Sequence, residues 1–428
     1  MLFYKIKMIY RLLYFWASEN STKLKQVLTL YFSTVGSTIL GIGTSVLNTH
    51  NLSTLEYGNV RYITNIFTFV SSILLFGYFT SGARLLALSN DNNKRQQING
   101  ALLVVLIIAL LLCSALMVIC FILNKLYGDD SISNLFFASI FISSSPLLIS
   151  YINTSFQGEN RINGISLARI LPVASYLVAG FFIYKYVNVT PVLMLLLQNG
   201  ISVFITILLI ISTKPNFINI KESLSLLHNE NKIYGIHVYT GSVLAVSFGY
   251  LSGITLGLFE QNNESVGFYS LAYTIASPLS MLPSIIGTTY FRKFANQNLI
   301  PRKIVLITIF MSLFSLLAFI VLIHPLVSML YSSEYIVVAR IASFLAVGTV
   351  LHGMGDMFNR FLGAHGKGKE LRNGAVLSGI ILLIGNFVFV YYWGVDGAIF
   401  TRVLASIVYM LMMIFYYIVR FVRINKMI

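Results

Sequence analysis

The chain has 428 residues, of which 57% are hydrophobic and only 10% are charged. A soluble domain carries about 25% charged residues, so this composition excludes a water-soluble globular protein. The formal charge of +15 would suit nucleic-acid binding, but no soluble segment carries a basic stripe with interleaved aromatic residues. The composition predicts an all-α polytopic membrane protein in which each span uses about 20 apolar residues.

The chain begins with "MLFYKIKMIYRLLYFW", which mixes basic and aromatic residues and has no small-residue cleavage site after it. We therefore expect a basic flank or an interfacial helix there, and no removable signal peptide. Beyond this flank, apolar runs predict twelve transmembrane helices. They lie near residues 26–47, 60–82, 101–123, 134–154, 168–184, 191–212, 236–258, 267–290, 304–324, 336–359, 375–393 and 397–419.

Basic residues mark one side of these spans. Of the 29 Lys and Arg residues, all but five lie in the N-terminal flank, in the loops after even-numbered spans, or in the C-terminal tail. The five exceptions are Arg61, Lys125, Lys185, Arg340 and Arg402. The positive-inside rule predicts that both termini are cytoplasmic.

The chain repeats itself. The segment "LEYGNVRYITNI" is echoed by "ESVGFYSLAYTI", with Gly58 and Gly267 separated by 209 positions. Three more pairs follow in the same order at offsets of 204 to 208: Arg84 with Arg292, Tyr127 with Tyr331, and Gly158 with Gly363. Such order predicts a duplication of six spans, and an even number makes the two halves parallel.

This duplication predicts five segments, of which two are lobes that enclose a central cleft. They are a basic cytoplasmic flank (1–25), an N-lobe (26–212), a cytoplasmic linker (213–235), a C-lobe (236–420) and a cytoplasmic tail (421–428).

The segments "LSTLEYGNVRYI", "FQGENRINGIS", "ESVGFYSLAYTI" and "FLGAHGKGKELRNGAVLSGI" carry a family resemblance. From about residue 25 onward, the chain resembles the bacterial polysaccharide flippases of the multidrug/oligosaccharidyl-lipid/polysaccharide exporter superfamily. It departs from them at Thr54, where many members have proline. The resemblance implies that an undecaprenyl-pyrophosphate-linked oligosaccharide, such as an O-antigen repeat unit of lipopolysaccharide, moves from the cytoplasmic to the periplasmic leaflet of the inner membrane.

The resemblance also implies alternating access and several partners. These are the lipid-linked oligosaccharide, the bilayer, and the polymerase and chain-length proteins of the same pathway, with no nucleic acid. No nucleotide-binding loop, metal-ligand spacing or nucleophile–base arrangement stands out in the sequence. We therefore expect a transporter without a cofactor, driven by a proton or sodium gradient if it is coupled at all, and not an enzyme.

Two alternatives remain open at this stage. A drug/cation antiporter of the same superfamily would need a buried acid, and the predicted spans of the first half contain none. A membrane polysaccharide polymerase would need a substantial region outside the membrane. The short loops on that side and the duplicated architecture make it the weaker alternative.

Polar residues at helical spacing predict the site. In the second span they recur at intervals of four, three and four, which places them on one helical face: Arg61, Asn65, Thr68 and Ser72. The eighth span carries an equivalent stripe: Ser270, Thr274, Ser277 and Ser284. These stripes either line a hydrated cleft or provide hydrogen bonds between packed helices.

Charged residues within spans are costly, at about 2.5–3.5 kcal/mol near a helix centre. Arg61, Arg340 and Arg402 lie a few residues into their spans from the outer end. They either extend to headgroup phosphates or face the cleft, where guanidinium groups would bind a pyrophosphate in pairs. Asp356 is the single acid within any predicted span and is the candidate for ion coupling, unless it only pairs with Arg360 one turn away.

Overall fold

The computed structural model describes residue 26 and residues 29–422, and the regular structure of this part is helical throughout. The first half contains α1 (Thr29–Asn51), α2 (Thr54–Ile73), α3 (Tyr78–Leu88), α4 (Asn92–Tyr127), α5 (Asp130–Ile142), α6 (Ser145–Gly158), α7 (Ile162–Tyr186) and α8 (Pro191–Ile211). The rest contains α9 (Ile220–Glu230), α10 (Ile236–Val246), α11 (Leu251–Phe259), α12 (Glu264–Ala276), α13 (Met281–Phe294), α14 (Arg302–Leu330), α15 (Val337–Ala364) and α16 (Gly368–Tyr417).

The described helices include many that are long and apolar enough to cross a membrane. Within the described part, nine helical stretches are long and apolar enough to cross a bilayer, and α2 with α3 is a tenth, bent by 56°. The longest stretch contains two crossings, because α16 reverses direction at Gly394, where φ is 52° and ψ is −128°. The span predicted near 236–258 is divided into α10 and α11 by the 3₁₀ turn Ser247–Tyr250. The predicted all-α polytopic fold is confirmed.

The loops define two ends of the bundle. We call one end the acidic end. Its loops are residues 52–53, 128–129, 187–190, 260–263, 331–336 and 394–396. Half of the 14 carboxylates lie there: Glu56, Asp129, Asp130, Glu260, Glu264, Glu334 and Asp396. We call the opposite end the basic end. Its loops are residues 89–91, 159–161, 212–235, 295–301 and 365–367. Apolar helices separate the two, as a bilayer requires.

Three apolar clusters hold the helices together. One combines the first half with the linker helix α9 and includes Leu102 and Phe156, and one lies wholly in the second half around Phe361. The third includes Tyr57 and Tyr335 and contains residues from both halves. The helices therefore form an N-lobe (α1–α8) and a C-lobe (α10–α16), each packed on itself and joined along one seam.

The linker between the lobes is partly helical. It contains α9, in which Leu227 is fully buried against the N-lobe. Glu230 forms an ion pair with Arg84, and the hydroxyl of Tyr78 lies 2.9 Å from Nδ1 of His228. The linker is thus attached to the N-lobe, while the boundaries of the five segments stay a prediction; residues 1–25 and 423–428 lie outside the described part.

Candidate functional site

Helix α2 supplies the N-lobe wall of the site. It begins at a capping box in which Ser53 accepts a hydrogen bond from the Glu56 backbone and the Glu56 carboxylate accepts one from Ser53. The face of this helix with Arg61, Asn65 and Thr68 lines a cavity of about 520 Å³.

The C-lobe supplies most of the remaining lining of this cavity, which we call the central cavity. The polar and aromatic residues that the C-lobe contributes lie in the break before α11, in α12, in α15, and in α16 on both sides of Gly394. They are Tyr250, Tyr269, Ser270, Tyr273, Thr274, His352, Ser378, Arg402 and Ser406. Asn65 Nδ2 and Ser270 Oγ lie 3.5 Å apart, so the two polar stripes face each other across the lobes.

Six of the residues singled out from the sequence therefore lie in one cavity: Arg61, Asn65, Thr68, Ser270, Thr274 and Arg402. Three others do not line it. Ser72 lies at the end of α2, and its hydroxyl donates to the Phe69 carbonyl. Ser277 and Ser284 follow the end of α12, where the 3₁₀ turn Ser277–Ser280 changes the rotation of the chain before α13 begins. The stripe periodicity does not extend through this turn.

Arg340 is a correction to the predicted site. Its side chain lies at the acidic end, 62% exposed, and donates two hydrogen bonds to Asp396, at 2.8 Å and 3.0 Å. Asp396 reaches it because α16 reverses at Gly394 beside the start of α15. Arg340 therefore does not line the central cavity.

The two arginines in the cavity have tyrosine partners. Nη2 of Arg402 donates to the Tyr273 hydroxyl at 2.5 Å, and Nε of Arg61 donates to the Tyr57 hydroxyl at 2.8 Å. Each guanidinium carbon also lies within 5 Å of its partner's ring centroid. No carboxylate is among the described residues that line this cavity. The cavity therefore carries two positive charges without a neutralising acid.

Sequence reasoning missed the aromatic part of this site. Tyr269 and Tyr273 are four residues apart on α12, so their spacing within an apolar span was a usable signal. Tyr250 gave no such signal, because it lies in a helix break that hydropathy does not reveal. Phenol hydroxyls within a membrane bundle add donors and acceptors that Ser and Thr stripes alone do not supply.

A second cavity of about 610 Å³ adjoins the first and shares His352 and Ser378 with it. It extends towards the basic end, where Lys369 and Arg372 at the start of α16 line it. Asp356 is the single acid among the described residues that line either cavity.

Asp356 does not form the ion pair with Arg360 that its spacing suggested; no such pair occurs among the described residues. Instead, the Tyr409 hydroxyl donates to Asp356 Oδ1 at 2.9 Å and accepts from Asn359 Nδ2 at 2.8 Å. The Tyr409 ring stacks on His352 with centroids 4.5 Å apart. A carboxylate, a phenol and an imidazole thus lie in contact between the two cavities.

The lobes are closed against each other at the acidic end. The echoed glycines meet there: a Cβ on Gly58 would overlap the Asn263 carbonyl, and one on Gly267 would lie 3.1 Å from the Gly58 Cα. Hydrogen bonds cross the seam from Thr54 to Glu264 at 2.7 Å and from Asn263 to Asn59 at 2.8 Å. We call this buried contact the acidic-end seam.

Solved structures share this architecture. The lipid II flippase MurJ, in an inward closed conformation, aligns with a TM-score of 0.67 at 17% identity, covering 91% of this chain and 87% of that one. An inward-facing multidrug resistance MATE transporter aligns with a TM-score of 0.69 at 15% identity, covering 94% and 99%. A transporter from Pyrococcus furiosus aligns at 0.51 and 16% identity, covering 93% and 97%. These likenesses show that the chain shares the fold of these membrane proteins.

The family follows from the sequence. The family model described as "polysaccharide biosynthesis protein" matches residues 24–291, which is more than half of the chain. The chain belongs to this family, as the resemblance in its motifs predicted. No curated protein matches the sequence closely enough to count as a relative.

Proposed function

We propose that the protein moves an undecaprenyl-pyrophosphate-linked oligosaccharide, such as an O-antigen repeat unit, between the leaflets of the bacterial inner membrane. The observation that carries this proposal is the charge of the central cavity. Arg61 and Arg402 line it from opposite lobes, and no described carboxylate does. An anionic headgroup is the substrate that such a cavity stabilises.

The chemistry of a diphosphate suits this arrangement. Guanidinium groups form charge-assisted hydrogen bonds to phosphate oxygens that are roughly twice as strong as neutral ones. Hydroxyls from Ser270, Thr274 and the cavity tyrosines can donate to and accept from sugar hydroxyls. The volume of about 520 Å³ lies within the usual range for small-molecule sites, so it suits the headgroup while the polyprenyl tail stays in lipid.

The direction of movement follows from the charge of the loops. The positive-inside rule favours a cytoplasmic location for the basic end and for both termini. The headgroup then enters through the second cavity, past Lys369 and Arg372, and reaches the central cavity while the acidic-end seam is closed. Rocking of the parallel lobes would open the acidic end to the periplasm.

The charge of the cavity also argues against a drug/cation antiporter, since an organic cation would meet two guanidinium groups with no carboxylate among the described lining residues. We propose a transporter and not a polymerase, working beside the polymerase and chain-length proteins of the same pathway. It would need no cofactor, and if transport is coupled, a proton or sodium gradient would drive it.

The test is the sidedness of the lipid-linked glycan in sealed inner-membrane vesicles with and without the protein. A membrane-impermeant glycan-cleaving reagent reports which leaflet holds the repeat unit. We expect loss of the protein to leave assembled units on the cytoplasmic face. Units that cross normally but remain single would point to a polymerase, and an unchanged glycan would point to an exporter of another solute.

Asp356 is our proposed coupling residue. We expect Asp356→Asn to abolish the dependence of the translocation rate on a pH gradient, because an amide cannot take up the proton that a carboxylate binds. The measurement is initial translocation in vesicles at imposed pH differences, repeated with a sodium gradient.

Asp396→Asn is the matched control, since it alters an exposed carboxylate paired with Arg340, and the gradient dependence should persist in it. Persistence in Asp356→Asn as well would reduce Asp356 to a hydrogen-bond acceptor for Tyr409.

A further inference from the structure

Arg61 belongs to two environments. Its side chain lines the central cavity, yet its Nε donates to the hydroxyl of Tyr57, one helical turn closer to the acidic end. The guanidinium carbon lies 4.9 Å from the centre of the Tyr57 ring. The same cation therefore faces the proposed substrate and contacts a residue outside the cavity lining.

Tyr57 is part of the acidic-end seam. It is fully buried, and its ring packs edge-to-face on Tyr335 of the C-lobe, with centroids 6.1 Å apart. A Cβ on Gly267 would lie 3.3 Å from Cδ1 of Tyr57, so the ring also rests on the glycine of α12. Moving Tyr57 would disturb the contact between the lobes on both sides of the ring.

The closed seam also contains an unsatisfied group. The hydroxyl of Tyr335 is buried beside Tyr57 and has no hydrogen-bond partner in the described part of the chain. A buried polar group without a partner destabilises the state that contains it. Opening the seam to water would relieve this cost and would to that extent favour the open state.

The charge of Arg61 is available to a ligand. The described ion pairs do not include it. The nearby carboxylates are engaged elsewhere: Glu56 accepts from the Ser53 hydroxyl at 2.9 Å, and Glu264 accepts from Thr54 at 2.7 Å. A phosphate entering the cavity would compete only with the neutral Tyr57 hydroxyl and would form the stronger bond.

We propose that Arg61 and Tyr57 form a latch through which an anionic headgroup in the cavity opens the acidic end. The proposal rests on the function proposed above. An anion that draws the guanidinium from Tyr57 binds the open state better than the closed one, and this difference is what shifts the equilibrium between them. Arg402 has no such link, because its partner Tyr273 lines the cavity itself. Tyr57 is thus a positioning residue, and an empty carrier stays closed at this end.

The test uses accessibility from the acidic end. In the full-length protein, Cys113 and Cys120 are replaced by alanine, and Thr64→Cys in the cavity lining reports access of a membrane-impermeant maleimide. The protein is assayed in right-side-out membrane vesicles, with the acidic end outward. We expect slow labelling that rises when undecaprenyl diphosphate is added.

Tyr57→Phe keeps the ring and removes the hydroxyl that holds Arg61. It should raise labelling without lipid by about 2- to 10-fold, the factor that corresponds to one neutral hydrogen bond. Arg61→Gln should do the same and lose the response to undecaprenyl diphosphate. Tyr273→Phe removes the equivalent hydroxyl from Arg402 and should label as slowly as the parent without lipid.

Slow labelling of Tyr57→Phe, equal to that of Tyr273→Phe, would overturn the latch. Fast labelling of Tyr57→Phe with no response of the parent to undecaprenyl diphosphate would support the latch and contradict the proposed substrate. The two proposals therefore fail by different results.

Discussion

Replacing both Arg61 and Arg402 by alanine is expected to reduce glycan translocation by at least about 100-fold. Each guanidinium would contribute a charge-assisted hydrogen bond to the diphosphate, and such bonds are worth about 1.5–3 kcal/mol each. Two of them therefore account for about 3 kcal/mol or more, and every 1.4 kcal/mol is a factor of about ten. The measurement is the rate at which lipid-linked glycan reaches the outer leaflet of sealed vesicles at equal protein level.

Two further variants sharpen this test. The pair Arg61→Lys and Arg402→Lys keeps the charges but loses the planar fork, so it should retain part of the activity. Arg340→Ala is the matched control, because it removes an exposed arginine that Asp396 pairs with outside the cavity. Normal translocation in the double alanine variant would remove the basis for an anionic substrate.

The second large effect is expected at the echoed glycine of α2. Gly58→Ala introduces a methyl group where the Asn263 carbonyl already lies, and a backbone atom has little room to yield. Overpacking of this kind costs about 1–3 kcal/mol, enough to lower translocation by about 5-fold or more by keeping the lobes apart. The Thr64→Cys reporter should then label quickly from the acidic end without any lipid.

Gly267→Ala should have the weaker effect, since its nearest neighbours lie 3.1–3.3 Å from the added methyl group and one of them is a side-chain ring. Gly41→Ala in α1 is the control, because a Cβ there meets nothing within 4 Å. If Gly58→Ala transported and labelled like Gly41→Ala, the acidic-end seam would not be a gate.

The contrast between Arg340 and Arg402 illustrates where reasoning from sequence stops. Both lie a few residues into a span from the same end, and both are candidates for the cleft on sequence grounds. The reversal of α16 at Gly394 places Asp396 beside Arg340, whereas Arg402 turns inward to the Tyr273 hydroxyl. No local pattern separates the two, because each partner is chosen by helices that are distant in the chain.

Asp356 is a second case in which the spacing along the chain did not identify the side-chain partner. Helical spacing offered Arg360 as its partner, yet the contact that forms is with Tyr409, 53 positions away. An exposed i, i+4 pair contributes only about 0.2–0.5 kcal/mol, so a neighbouring helix readily supplies a better partner.

The sequence by itself determined those properties that are local or periodic. Its hydropathy specified a helical membrane protein, its internal echo specified two parallel halves, and the spacing of Arg61, Asn65 and Thr68 specified a polar face on α2. The tertiary structure alone decided which faces meet, which arginine is paired, and that Gly58 and Gly267 close one end. These outcomes depend on the rotation and breaks of packed helices, which arise from contacts between residues far apart in the chain.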